Sequence, residues 1–173
     1  MAFDLDETFQ LDIAKMNLNE VYSIVFNFHQ PKIPFVIWLL ENPNSLLALP
    51  GKISLRHHDY IHILLGRGLS SEDEAFVIGF TMGNDLKTNK LHLFIYKLFT
   101  KFIYPYPYKF STLDLIKFYL GFIYGRRIKM KNINEINFEL YQYQNIGYLR
   151  NIFDINTDEI KFILTHELNF INI

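Results

Sequence analysis

Residues 57–74 read HHDYIHILLGRGLSSEDE, and this stretch decides the fold class. No glycine or proline interrupts Leu55 to Leu65, which predicts a helix closed by Gly66 and Gly68. Ser70 or Ser71 then caps a second helix through Ala75, Phe76, Ile78, Gly79 and Met82, before Gly83-Asn84. A short turn between them folds the second helix back on the first. Three of the chain's six histidines fall in the first six positions, beside acids. A metal site and a solvated helix face share that composition.

Outward from this hairpin, the punctuation divides the chain into helix-sized pieces. Asn17 with Glu20 forms a capping-box pattern ahead of Val21, Ile24, Val25 and Phe28, and Pro31 and Pro34 end that helix. Pro34 also suits the start of a short helix through Ile37, Trp38 and Leu40. Asn42-Pro43-Asn44 and Leu49-Pro50-Gly51 read as turns. Leu91 to Tyr104 predicts one apolar helix, and Ser111-x-x-Asp114 opens another that reaches Gly125-Arg126-Arg127. Thr157-Asp158 is the expected cap of a last helix containing Ile160, Ile163 and Leu164. Between Asn137 and Phe153 the pattern is mixed, since Gly147 weakens a helix and Tyr141 and Tyr143 alternate as in a strand. A short strand pair near Ile128 to Phe138 is the alternative there. The sum is an all-α fold, a single helical domain of about six to eight helices over residues 1–173.

Composition narrows the function classes. Half of the 173 residues are hydrophobic and 17% are aromatic, too apolar for a disordered chain. The net charge is −1 and the 17 basic residues are scattered, so no nucleic-acid footprint emerges. With no cysteine, disulfides, thiolate metal sites and a cysteine nucleophile are excluded. The opening MAFDLDETFQLDIAKM does not read as a signal peptide. Leu91 to Tyr104 and Leu113 to Tyr124 fall short of the ~20 apolar residues that a membrane span needs. These features lead us to expect a cytoplasmic protein, with peripheral contact at a membrane face left open. The aromatic surplus is compatible with a homodimer.

The spacing of the histidines carries the chemistry. Residues four apart share a helix face, so His58 and His62 can meet one cation. Asp59 lies about 100° round the helix, where it reaches the same ion from the flank or supports an imidazole N–H. His57 lies about 100° round the other way and is left out. Glu74, near the start of the second helix, can face the histidines across the hairpin. If Ser71 is the cap, however, Glu74 is its capping-box partner. If Ser70 is the cap, Asp73 takes that role and frees Glu74, and this is the expected arrangement. Such a nitrogen and oxygen set suits zinc first, with iron(II) or manganese as alternatives.

His58-Asp59-Tyr60-Ile61-His62, followed after eleven residues by Glu74, resembles the H-D-x-x-H-x(11)-E signature of the coenzyme Q biosynthesis protein 4 family. Leu64-Leu65-Gly66 falls where that family has its L-x-G turn, and Glu72-Asp73-Glu74-Ala75 is similar to its acidic helix start. Gly125-Arg126-Arg127 and Leu149-Arg150-Asn151-Ile152-Phe153 resemble two further motifs. The resemblance covers about residues 45–155. Ahead of the histidines, this chain is shorter than the family.

The resemblance implies an all-helical, metal-binding protein acting on a polyprenylated hydroxybenzoate-like intermediate of ubiquinone synthesis. The implied chemistry is loss of the ring carboxylate, with hydroxylation of the same carbon. Its metal and catalytic residues would be His58, Asp59, His62 and Glu74. The alternative is a non-catalytic lipid-binding or scaffold protein with a structural metal, organising other quinone-biosynthesis enzymes. Implied partners are a prenylated aromatic lipid, those enzymes and a membrane surface. The apolar helices from Leu91 to Tyr124 offer a groove for an isoprenoid tail, although core packing explains them as well. Arg126 and Arg127 offer an anion or head-group site, or simply a basic helix end. Arg150 reads as a core-edge salt bridge or a ligand. His29, His92 and His166 read as surface or capping residues.

Overall fold

The computed structural model describes residues 13–26 and 33–166. Phe28, His29 and Pro31 lie outside them. Among the described residues there are eight α-helices and no strand: α1 Leu18–Val25, α2 Phe35–Glu41, α3 Leu55–Leu65, α4 Ser71–Asn84, α5 Lys90–Leu98, α6 Thr112–Arg127, α7 Ile146–Ile152 and α8 Thr157–Thr165. The all-α expectation holds. No helix among the described residues is long and apolar enough to cross a membrane.

Helix ends follow local chemistry in most places. Asn17 with Glu20, and Ser111 with Asp114, form reciprocal capping boxes. Pro34 is the N-cap of α2. Gly66 takes a left-handed conformation, with φ 65°, and stops α3 where expected. Three details differ from the sequence reading, and one alternative falls away. Helix α5 ends in a π-helical turn, Phe99–Ile103, rather than running straight to Tyr104. Helix α4 continues through Gly83 and Asn84. Asn156, not Thr157, caps α8, because its side chain reaches the amides of Asp158 and Glu159. Finally, Ile128 to Phe138 pairs with no strand. Its backbone is gripped instead by Asn84, which donates to the Met130 carbonyl and accepts from the Ile133 amide. Asn145 then caps α7, with Gly147 in its first turn.

Helices α4 and α6 form the axis of the molecule. A Cβ on Gly79 or Gly83 would overlap the carbonyl oxygen of Phe118 or Phe122. Reciprocally, one on Gly121 or Gly125 would overlap that of Phe76 or Phe80. These contacts advance in the same direction on both chains, so the helices are parallel. Each carries a G-x-x-x-G row that lets the backbones touch.

The pair separates two apolar clusters. On one side Phe76, Phe80 and Tyr124 pack with Tyr60, Leu64 and Leu149. On the other, Ala75 and Phe118 pack with Leu40, Tyr96 and Tyr104. Glu74 starts α4, next to the boundary between them. That boundary is where the sequence placed its chemistry.

Candidate metal centre

Helix α3 presents His58 and His62 one turn apart, their ring centroids 4.7 Å from each other. Glu74 comes from α4, across the turn at Gly66 to Ser70. Its Oε1 lies 3.5 Å from His62 Nε2 and its Oε2 lies 3.7 Å from His58 Nε2. One ligand atom from each residue lies within 4.8 Å of the other two. A tetrahedral cation with bonds of about 2.1 Å separates its ligand atoms by about 3.4 Å. The observed spacings therefore fit one divalent ion with little movement.

Local chemistry explains why Glu74 is available. Ser70 is the N-cap, and its Oγ accepts from the Asp73 amide while donating to Asp73 Oδ2 at 2.7 Å. Arg67 pairs with the other oxygen of Asp73. Asp73 thus takes the capping work, as expected, and leaves Glu74 free to turn inward. The C-terminal end of α3 is held just as firmly. Arg150, buried on α7, donates to the Ile63 and Leu64 carbonyls at 3.1 and 2.9 Å. Both carbonyls belong to the last turn of α3, where the regular helical partners run out, and Ile63 accepts from the Gly66 amide as well. Arg150 is therefore a brace for the histidine helix, a role its place in the Leu149-to-Phe153 motif did not disclose.

His62 carries the strongest signal. Its Nδ1 lies 2.8 Å from the Gly68 carbonyl oxygen, which can only accept, so Nδ1 bears a proton. The ring is thereby oriented with Nε2 toward Glu74, as an outer hydrogen bond orients a metal-binding histidine. Nε2 is fully buried and makes no hydrogen bond among the described residues. A buried nitrogen without a partner is costly, unless a proton facing Glu74 or a cation meets it.

The electrostatics agree. Burial opposes charge on His62, but Glu74 and then Asp59 outweigh it and raise its pKa. Burial, partly offset by Glu74 and reinforced by His62, pushes His58 down to about 4, leaving a neutral imidazole. Burial would raise Glu74, yet His62 and then His58 hold it at about 2, an anion. Glu74 keeps 38% of its side-chain exposure and His58 15%, so the group opens to solvent on one side while His62 closes the other.

The remaining expectations fall differently. Asp59 is buried and lies outside the three-residue group. Burial pushes its carboxyl up to about 7, with His62 opposing and Glu74 adding to the rise. His57 points away, to Glu139 at 3.7 Å and the Phe138 ring. Arg126 and Arg127 stand at the last turn of α6, level with the end of α4, about 15 Å along that helix from Glu74. There Arg126 donates to the Thr88 carbonyl and Arg127 pairs with Glu159. His92 closes the capping box of α5, and His166 is the C-cap of α8. Among the apolar helices, α6 buries Phe118, Leu120 and Tyr124 but exposes Leu113, Tyr119 and Ile123, and α5 exposes Leu91, Phe94 and Leu98, followed by Phe102 in the π turn.

No protein-family model, curated protein or solved structure matches this chain.

Proposed function

We propose that the chain binds a divalent cation, zinc foremost, through His58, His62 and Glu74, and acts on a prenylated hydroxybenzoate-like substrate by removing the ring carboxylate. The observation that carries the metal reading is His62: a buried Nε2 without a hydrogen bond, aimed at Glu74 by the Nδ1 contact to Gly68. A bound cation supplies Lewis-acid charge to orient a carboxylate and stabilise charge developing on the ring.

The chain's own residues favour a catalytic site over a closed structural one. Three protein ligands with an exposed side is the pattern of catalytic zinc sites, whereas structural sites have four. Two neutral imidazoles and one carboxylate leave a divalent cation with a net charge of about +1. That charge attracts an anionic ligand. The choice of substrate rests on the likeness of the histidine motif to the coenzyme Q biosynthesis protein 4 family. The apolar row on α5 supports it, as a surface suited to an isoprenoid tail.

Metal analysis of the purified protein beside a His62→Ala variant tests the proposal. Bound zinc, iron or manganese is expected in the wild type and a loss of at least tenfold in the variant. Equal, negligible metal in both would sink the metal centre. With metal present, release of carbon dioxide from a prenylated hydroxybenzoate under oxygen is the expected activity. Bound metal without turnover points instead to a structural ion in a scaffold.

A further inference from the structure

The turn between α3 and α4 closes on His62 twice. The His62 carbonyl accepts from the Arg67 amide at 2.9 Å, and the His62 ring donates through Nδ1 to the Gly68 carbonyl at 2.8 Å. Phe26 and His58 pack beside the ring, at 6.3 and 4.7 Å between centroids, but such packing does not choose which nitrogen faces Glu74. That choice depends on where the turn holds the Gly68 carbonyl. Little in the turn can hold it: Gly66 and Gly68 carry no side chain, and Leu69 is exposed. Arg67 is the exception. Its side chain is mostly covered, its guanidinium pairs with Asp73 in the first turn of α4, and its Cζ lies 5.5 Å from the centre of the Phe76 ring. Phe76 is fully buried, and its carbonyl lies in the close contact with α6 at Gly121. Arg67 thus fastens a glycine-bounded turn to the α4–α6 frame.

We propose that Arg67 is the positioning residue of the metal centre. By tying the turn to Asp73 and Phe76 it holds the Gly68 carbonyl in place, and that carbonyl fixes the His62 ring with Nε2 toward Glu74. The link to zinc rests on the metal-centre reading above, whereas the hold on the ring belongs to the metal-free protein. One arm of the guanidinium makes the ion pair, while Nε is buried without a hydrogen bond among the described residues. A lysine also offers one charged nitrogen for Asp73 and for the ring face, so it should keep the hold. Glutamine has no charge and a shorter reach, and should lose it.

The experiment is NMR of the metal-free whole protein with isotope-labelled histidine, the His62 signal being assigned by its loss in His62→Ala. An enclosed ring N–H bonded to a carbonyl exchanges slowly with water, so wild type should show a protected His62 Nδ1–H. In Arg67→Gln that exchange should be roughly tenfold faster, and zinc affinity, measured by competition with a chelating dye, should fall roughly tenfold. Arg67→Lys should return both values toward wild type. Asp73→Asn loosens the same anchor from α4, carries the same expectation, and replaces Arg67→Gln if that variant does not fold. Unchanged exchange, or faster exchange with unchanged zinc affinity, overturns the Arg67 proposal alone and leaves a tie that serves stability only. Failure of lysine to restore either value overturns it as well. No zinc binding in wild type overturns the positioning role together with the metal centre, while the exchange rates still show whether Arg67 holds the ring.

Discussion

The two ends of α4 bury polar groups in opposite ways. At the C-terminal end Asn84 is fully enclosed and fully used: its amide donates to the Gly125 and Met130 carbonyls, at 3.3 and 2.6 Å, and accepts from Ile133 at 2.8 Å. At the N-terminal end His62 is equally enclosed, yet one of its two nitrogens has no hydrogen bond. A satisfied buried amide fixes a chain path, while an unsatisfied imidazole beside a carboxylate asks for a ligand. The contrast separates Asn84, a polar group spent on structure, from His62 of α3, which has a nitrogen to spare beside the other end of the same helix.

Breaking the frame shared by both ends should have the largest effect. Gly121→Val places a branched side chain against the Phe76 carbonyl, so α4 and α6 must part. We expect a loss above about 4 kcal/mol, a large share of the ~5–15 kcal/mol that stabilises a typical domain. Chemical denaturation followed by helical circular dichroism is the check. A folded, wild-type-like variant would show that the helices tolerate separation.

The structural end comes next. Asn84→Leu leaves the Ile133 amide and two carbonyls without their partner, and should cost about 3 kcal/mol. Zinc content of the folded fraction should be unchanged. Loss of zinc with little loss of stability would reverse the roles assigned to the two ends.

At the functional end the signs invert. Glu74→Gln keeps the shape but removes the anion, so zinc affinity should fall at least tenfold. Stability of the metal-free protein should move by less than about 1 kcal/mol, because the carboxylate is more than a third exposed. Paired binding and unfolding measurements on the same preparation decide it.

The functional end was also the more legible one in sequence. Glycines at 66 and 68 bounded α3, and the four-residue spacing of His58 and His62 translated directly into a shared face. The competition between Ser70 and Ser71 resolved through side chains within three residues of each other. Asn84 was illegible because its partners lie 41 to 49 residues away. The G-x-x-x-G rows of α4 and α6 are visible as text, but nothing local says that one helix meets the other. Arg150 and Glu41 were hidden for the same reason: the Ile63 and Leu64 carbonyls lie 87 and 86 residues from Arg150, and Tyr96 and Tyr104, which donate to Glu41, lie 55 and 63 from it. Asp59 shows the limit of spacing itself, since a neighbour in sequence lies outside the group that a residue from another helix completes.

The smallest expected effect sharpens the comparison at a third, half-buried polar group, Glu41, which is neither fully satisfied nor orphaned. Burial, opposed by hydrogen bonds from Tyr104 and Tyr96, raises its pKa from 4.5 to about 7 in the folded chain. Below pH 4.5 the folded and unfolded states are both protonated, and the group costs nothing. Between 4.5 and 7 the unfolded chain ionises first, so stability falls as pH rises, and above 7 the full cost is present. His58 and Glu74 tilt the curve the other way at acid pH, which makes the difference between wild type and Glu41→Gln the informative quantity. Glutamine still accepts from both tyrosines and has no proton to lose. The metal-free variant should therefore gain about 1–2 kcal/mol over wild type on going from pH 4.5 to 7.5, after allowance for partial solvent screening. Parallel denaturation curves across that range measure it. A pH-independent difference would mean that Glu41 is already ionised in the folded protein, held by Tyr96 and Tyr104 as an ordinary tie between α2 and the segment around α5.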